Sequence, residues 1–211
     1  MESSLKNMVL VLFTITLLSS AAVGGVYLIT KEPIAQAKEA AVNNALKQVL
    51  PEFEATTKQT IEVNALPIVA HTATVADKAV GYAIESISKN GFGGAIRLMV
   101  GFDTEGNIVN INVLEQKETP GLGTKMADEG NPLLASIQNK NSWEVDFKVK
   151  KDGGELDALT AATISSRAYY EAVARAYEAY KVACGYQESA DSVSGATATT
   201  GSNAQKGGQN E

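Results

Sequence analysis

The chain has 211 residues, 45% hydrophobic and 20% charged, which is room for one globular domain with accessory segments. Its formal net charge of −6 argues against a nucleic-acid partner, whose phosphates demand basic surface. One cysteine, Cys184, excludes an internal disulfide; with a single histidine, His71, it also excludes the common zinc-ligand sets, so redox chemistry here calls for a bound organic cofactor.

No charged residue stands between Lys6 and Lys31. The apolar run Met8 to Ile29 is long enough to cross a bilayer as a helix, so residues 1–30 read as a transmembrane anchor. A cleaved signal peptide is the alternative reading, because Ser19-Ser20-Ala21-Ala22 is small enough for processing. The flanking charges are too few to orient the span, and a span without charge offers no ion path. Ile34, Ala37, Ala41, Ala45, Leu46 and Val49 recur at helical spacing, with Pro33 in the first turn and Pro51 as the stop. The interval 31–60 therefore reads as a stalk or packing helix.

From Ile61 the period changes to two. Strands are expected at residues 61–63, 79–84, 95–102 and 108–113, the last two joined as a hairpin through Asp103–Asn107. Residues 124–139 read as a short helix or loop. Trp143, Val145, Phe147 and Val149 alternate as in a further strand. Residues 165–183 read as a helix with Tyr169, Val173, Ala176, Tyr177 and Tyr180 on one face, Ser165 or Ser166 as N-cap and Gly185 as the stop. The fold class is α+β, a mostly antiparallel sheet with flanking helices over residues 61–185. The remaining residues, 186–211, are Ser, Gly, Ala, Thr, Asn and Gln without apolar period and read as a disordered tail.

Three short segments carry the chemistry. Asp157-Ala158-Leu159-Thr160-Ala161-Ala162-Thr163-Ile164-Ser165-Ser166 lies directly before the amphipathic helix, where unpaired N–H groups and the helix dipole attract phosphate. An empty N-cap explains such hydroxyls equally well on spacing alone. Gly91-Phe92-Gly93-Gly94 and Thr119-Pro120-Gly121-Leu122-Gly123-Thr124 are glycine-bearing turns, each weak by itself.

Taken together and in this order, behind an N-terminal apolar segment, the three resemble the FMN-binding domain family. In that family an Asp-x-x-(Ser/Thr)-Gly-Ala-(Thr/Ser) motif carries FMN through a phosphoester. Over residues 5–184 the chain resembles the G subunit of the Rnf complex, an ion-translocating ferredoxin:NAD oxidoreductase. The C subunit of the sodium-translocating NADH:quinone oxidoreductase is a close relative of that protein.

The resemblance implies covalent FMN on Thr163, placed there by a separate flavin transferase, with Asp157 as the acid that helps the modification. It implies a phosphate cradled by the N–H groups of Ala161, Ala162 and Ile164, with the Thr160 and Ser165 hydroxyls as further donors. Glu118, Thr119, Leu122 and Gly123 are then expected near the flavin ring. It further implies other membrane subunits as partners, lipid around the anchor, and a domain on the periplasmic side of the bacterial inner membrane. The chain would be the substrate of attachment and a carrier of electrons, with no catalytic residue of its own. A stand-alone FMN-dependent reductase, or an anchored module without cofactor, are the rival readings; no haem motif Cys-x-x-Cys-His supports a larger redox chain.

The family's glycine is replaced by Ala161, which costs about 1–2 kcal/mol wherever left-handed backbone is needed. Asp191-Ser192-Val193-Ser194-Gly195-Ala196-Thr197 fits the motif more literally, but no helix pattern or apolar residue surrounds it, so Thr163 is the expected site. Lys89, Arg97 and Lys125 read as surface charges, the helical tyrosines and Trp143 as core, His71 as a loop residue and Cys184 as buried and inert.

Overall fold

The computed structural model describes residues 5–186, so the tail and its Thr197 motif lie outside the described residues. Helix α1, Leu5–Val49, runs 45 residues with Pro33 inside it. The two helical segments expected on either side of Lys31 are thus one rod, roughly 70 Å long at 1.5 Å per residue. Proline removes one N–H donor, but Ala35 to Ala41 are mostly strong helix formers and carry the helix past it. Along its apolar part every large side chain is exposed, from Leu5 to Ile34.

Five strands follow in the order of the chain: β1 Ala55–Val63, β2 Leu66–Val75, β3 Lys78–Ser88, β4 Ile96–Phe102 and β5 Ile108–Glu115, all antiparallel neighbours. Strand β1 begins before Ile61, inside the interval expected as stalk; its first six residues are exposed and carry no apolar alternation. Strand β2 was invisible in the sequence for a local reason. It is reached through Asn64-Ala65 and left through Ala76-Asp77, all four at positive φ (52°, 58°, 48° and 61°). These two-residue hairpin turns normally announce themselves by glycine, and here glycine is absent.

Residues 143–149 correct a further expectation. Val145, Phe147 and Val149 do face inward, but the segment pairs only through an isolated bridge from Val149 to Leu156. Alternation reports which side chains are buried; it does not report whether a neighbouring strand exists. Trp143 is 40% exposed and stands edge-on to Tyr177 instead of filling a strand core.

Helix α2, Pro132–Ala135, and two 3-10 turns at Gly123–Ala127 and Lys150–Asp152 occupy the connection after β5. Helix α3, Thr163–Ala183, then lies across one face of the sheet. Its Val173, Ala176 and Tyr180 meet Ile84, Leu98, Val100 and Phe102 in the main core, with the Phe102 and Tyr180 rings stacked at 4.7 Å. Tyr169 and Tyr170 are also buried there. At its end Gly185 takes φ 77°, and the Tyr186 N–H returns to the Lys181 carbonyl. Cys184, half-buried, holds the C-cap.

Among the described residues, the opposite face is covered by the end of α1 and the residues just after it, where Ala45, Leu46, Val49 and Leu50, with Phe53, pack on Ala73, Ala83 and Met99. Gly101 permits this approach, since a Cβ there would run into the Val49 carbonyl. Farther along the same face a charged row begins. His71 is therefore no loop residue: it is buried on β2 with Nε2 2.9 Å from Glu85 Oε1. Arg97 donates to Glu85 Oε2 at 3.1 Å. The His71 hydrogen bond, helped by the charges of His71, Arg97 and Lys58 and opposed by burial, holds the Glu85 carboxyl below its ordinary value.

Candidate functional site

The three motif segments converge where α3 begins. Ala162 is the N-cap, no side chain caps the helix, and Thr163 is its first residue. The N–H groups of residues 163–165 therefore have no acceptor within the helix. Neither serine serves as N-cap: both sit buried in the first turn and tie the neighbouring loops. Ser166 Oγ accepts from the Leu159 N–H and donates to the Ala162 carbonyl, each at 2.9 Å. Tyr170, one turn further, places its hydroxyl 2.9 Å from the Asp157 carbonyl and 2.8 Å from Ser136 Oγ. Burial, opposed by the Ser136 hydrogen bond, pushes that phenol up to about 12, so it remains a neutral donor near pH 7. The loop before Thr163 is thus pinned at both ends by α3 itself.

Within this loop Ala161 adopts φ 60°. The turn does need left-handed backbone, and this chain tolerates the strain that glycine would avoid. The Ala162 N–H, expected to face phosphate, instead closes a turn onto the Leu159 carbonyl at 3.1 Å.

A cavity of 340 Å³ opens beside Thr163. Of the residues singled out in the sequence, Thr119, Leu122, Gly123, Ala161, Ala162, Thr163, Ile164 and Ser165 line it. Phe92 completes the lining, 69% exposed; its glycine turn was singled out in the sequence, but the ring itself was not named as a site residue, because an aromatic between glycines has no period to betray it. Leu122 and Ile164 are partly exposed around the same opening, so the rim is apolar while the floor is a helix start.

Glu118, Asp157 and Thr160 do not line the cavity. Glu118 lies buried behind it and fastens its walls. Its Oε1 accepts from the Gly93 N–H at 3.0 Å and its Oε2 from the Ser165 hydroxyl at 2.5 Å. Three separate segments meet on this one carboxylate, and a Cβ at Gly123 would come within 2.9 Å of it. The Ser165 hydroxyl, expected as a donor to phosphate, is committed to this bond. Thr160 is exposed on the outside of the loop.

The wall carrying Phe92 has its own anchor. Glu171 of α3 accepts from Ser88 Oγ and Asn90 Nδ2, both at 2.8 Å, just where β3 ends, and pairs with Arg175 at 2.8 Å. Burial pushes the Glu171 carboxyl up, but these three partners together outweigh it and hold it below its ordinary value.

On the far side of Thr163 stands the turn Lys150–Asp152. Lys150 pairs with Asp157 at 2.6 Å, and Asp152 takes a two-pronged contact from Arg167 at 2.6 and 2.7 Å. Lys151 donates to Thr163 Oγ1 at 3.0 Å. No motif or spacing pointed to this neighbour, twelve residues away across an irregular loop.

Comparison with known proteins agrees with this geometry. Residues 91–178 match the family model for the FMN-binding domain, and residues 1–49 match that for the RnfG N-terminal region. The G subunit of the ion-translocating oxidoreductase complex of Vibrio vulnificus is 36% identical over 168 residues, covering 71% of this chain and 77% of its own. Its namesake from Shewanella amazonensis is 33% identical over 188 residues, 83% of this chain and 87% of its own. That from Aliivibrio fischeri is 33% identical over 196 residues, 86% and 92%. With similarity running through both the N-terminal helix and the cavity-bearing domain, this chain belongs to the family of G subunits of ion-translocating oxidoreductase complexes.

Proposed function

We propose that this chain is the FMN-carrying subunit of an ion-translocating electron-transfer complex, held in the membrane by α1, with FMN joined through its phosphate to Thr163 Oγ1. The observation that carries this reading is the position of Thr163: first residue of an uncapped helix, at the edge of a cavity with an apolar rim. The residues present fit the group. Unpaired N–H groups at 163–165 suit a phosphate, and Phe92, Leu122 and Ile164 suit a flat, largely apolar ring.

FMN in this place would supply electron transfer in single steps. The chain's own residues do the rest. Glu118 keeps the Gly93 and Gly123 segments and Ser165 in register, so the cavity is preformed. Phe92 and Leu122 exclude water from one side while leaving the opening accessible to a redox partner. Asp157 is held by Lys150 at the outer edge of the loop, where a separate flavin transferase could reach it. The apolar part of α1, exposed and uncharged, supports a domain held at the membrane surface beside the other subunits of such a complex. In this reading residues 1–30 are the anchor and the domain faces the periplasm of a bacterial inner membrane.

Co-expression of the full chain with a flavin transferase tests the assignment. A fluorescent band should persist in a denaturing gel, disappear in Thr163→Ala and remain in Thr197→Ala. Fluorescence that survives Thr163→Ala would move the attachment elsewhere.

A further inference from the structure

The turn beside Thr163 is held too firmly, and its charges are distributed too unevenly, to be an incidental neighbour. Its backbone is closed by Lys150 N–H to the Leu156 carbonyl and Asp152 N–H to the Val149 carbonyl, both 2.8 Å, and Gly153 turns it back at φ 85°. Its two outer side chains are neutralised, Lys150 by Asp157 and Asp152 by Arg167. The middle one is different. Among the described residues no carboxylate stands within ion-pair distance of Lys151; its charge acts on neighbouring Asp152, which Arg167 already holds, and its ammonium is directed at the uncharged hydroxyl of Thr163. A lysine free to swing through water gains little from a neutral hydroxyl, whereas a hydrogen bond to a charged oxygen is shorter and about twice as strong.

We infer that Lys151 is the counter-cation of the phosphate carried by Thr163, a positioning residue that rests on the function proposed above. A phosphate bridging Thr163 and a flavin chain is a diester with one negative charge. Three N–H groups at the start of α3 approach it from the helix side. Lys151 stands across the loop, 3.0 Å from Thr163 Oγ1, the oxygen that would carry the phosphorus, so its ammonium is within reach of the non-bridging oxygens that bear the charge. The closed turn fixes the Lys151 backbone beside Thr163, so the ammonium has only its own side-chain freedom to lose when the phosphate is present.

The test follows the amine itself. Full-length protein in detergent is prepared with and without attached FMN, verified by intact mass, and labelled with trace acetic anhydride over a range of pH; peptide mass spectrometry reads each lysine. Only the free amine reacts. A phosphate in contact raises the Lys151 midpoint by about one pH unit and slows its labelling about tenfold at a fixed pH below the midpoint. Lys150, already paired with Asp157, serves as the internal reference and should not move. Thr163→Ala co-expressed with the transferase should keep the profile of the FMN-free protein. A Lys151 midpoint that is unchanged on loading overturns the inference, including the case of a lower plateau, which would mean shielding alone. If the wild-type chain gains no FMN mass, the functional reading fails and this inference falls with it; an unchanged midpoint in loaded protein sinks the inference and spares the reading.

Discussion

The two faces of the sheet are built on different terms. Helix α3 closes one face with a continuous apolar stripe, and its Tyr169, Tyr170 and Tyr180 are almost completely buried in that core. On the other face, among the described residues, the end of α1 docks beside the His71–Glu85–Arg97 row. A helix with one apolar stripe is made to lie on a sheet; a helix apolar all round is made for lipid. The contrast explains why the site stands at the start of α3. In the function proposed, the helix locked on the sheet would hold the phosphate still, while the helix that leaves the domain would carry it to a membrane.

Four substitutions probe that contrast. The largest effect is expected on the α3 face: Tyr180→Ala removes a ring stacked on Phe102 and should cost about 3–5 kcal/mol in urea unfolding of the full chain in detergent. A loss below about 1 kcal/mol would mean that this face is not the main core. In α1, if it spans a bilayer as proposed, Leu18→Arg, at the middle of the apolar run, should cost about 2.5–3.5 kcal/mol of membrane insertion and leave unfolding of the domain unchanged. If the domain is weakened equally, the exposed half of α1 is packed on it after all.

The charged row should respond to acid. Glu85 is depressed in the folded protein, so its contribution is complete above its ordinary value of 4.5 and is lost as pH falls through the lower folded value. Glu85→Gln should therefore flatten the acid limb of the stability curve and lower stability at pH 7 by about 1–2 kcal/mol, seen by denaturation at several pH values. An unaltered acid limb would show that the row is not energetically coupled. The smallest change is Ala161→Gly, expected to raise the melting temperature through a net gain of about 0.5–1 kcal/mol, the relieved left-handed strain being partly offset by the greater freedom of glycine in the unfolded chain, with FMN attachment retained.

Much of this could be read before any coordinates. The apolar N-terminal helix, the β4–β5 hairpin and α3 all announce themselves through composition or period, and the nine residues lining the cavity all lie in the three motifs. What escaped was structure made by unusual backbone or by distance. Strand β2 hid behind hairpin turns without glycine, and the inward alternation of 145–149 imitated a strand that has no ladder. Glu118 was expected near the ring by resemblance; its two acceptor bonds, which no spacing foretold, give it a part in holding the wall.

By itself the sequence determined the chemistry that is local: a stretch too apolar for water, a helix with one buried stripe, and a threonine at the place where backbone donors are left unpaired. These follow from spacing along a single element, and spacing survives without a fold. Which residues surround that threonine was decided only in three dimensions. Lys151 donates to its hydroxyl, Phe92 shares its cavity and Glu118 holds the neighbouring Ser165, from three separate segments, because α3 packed on the sheet brings the loops together. Contacts between distant segments depend on how the buried surfaces close, and no period in the chain records that.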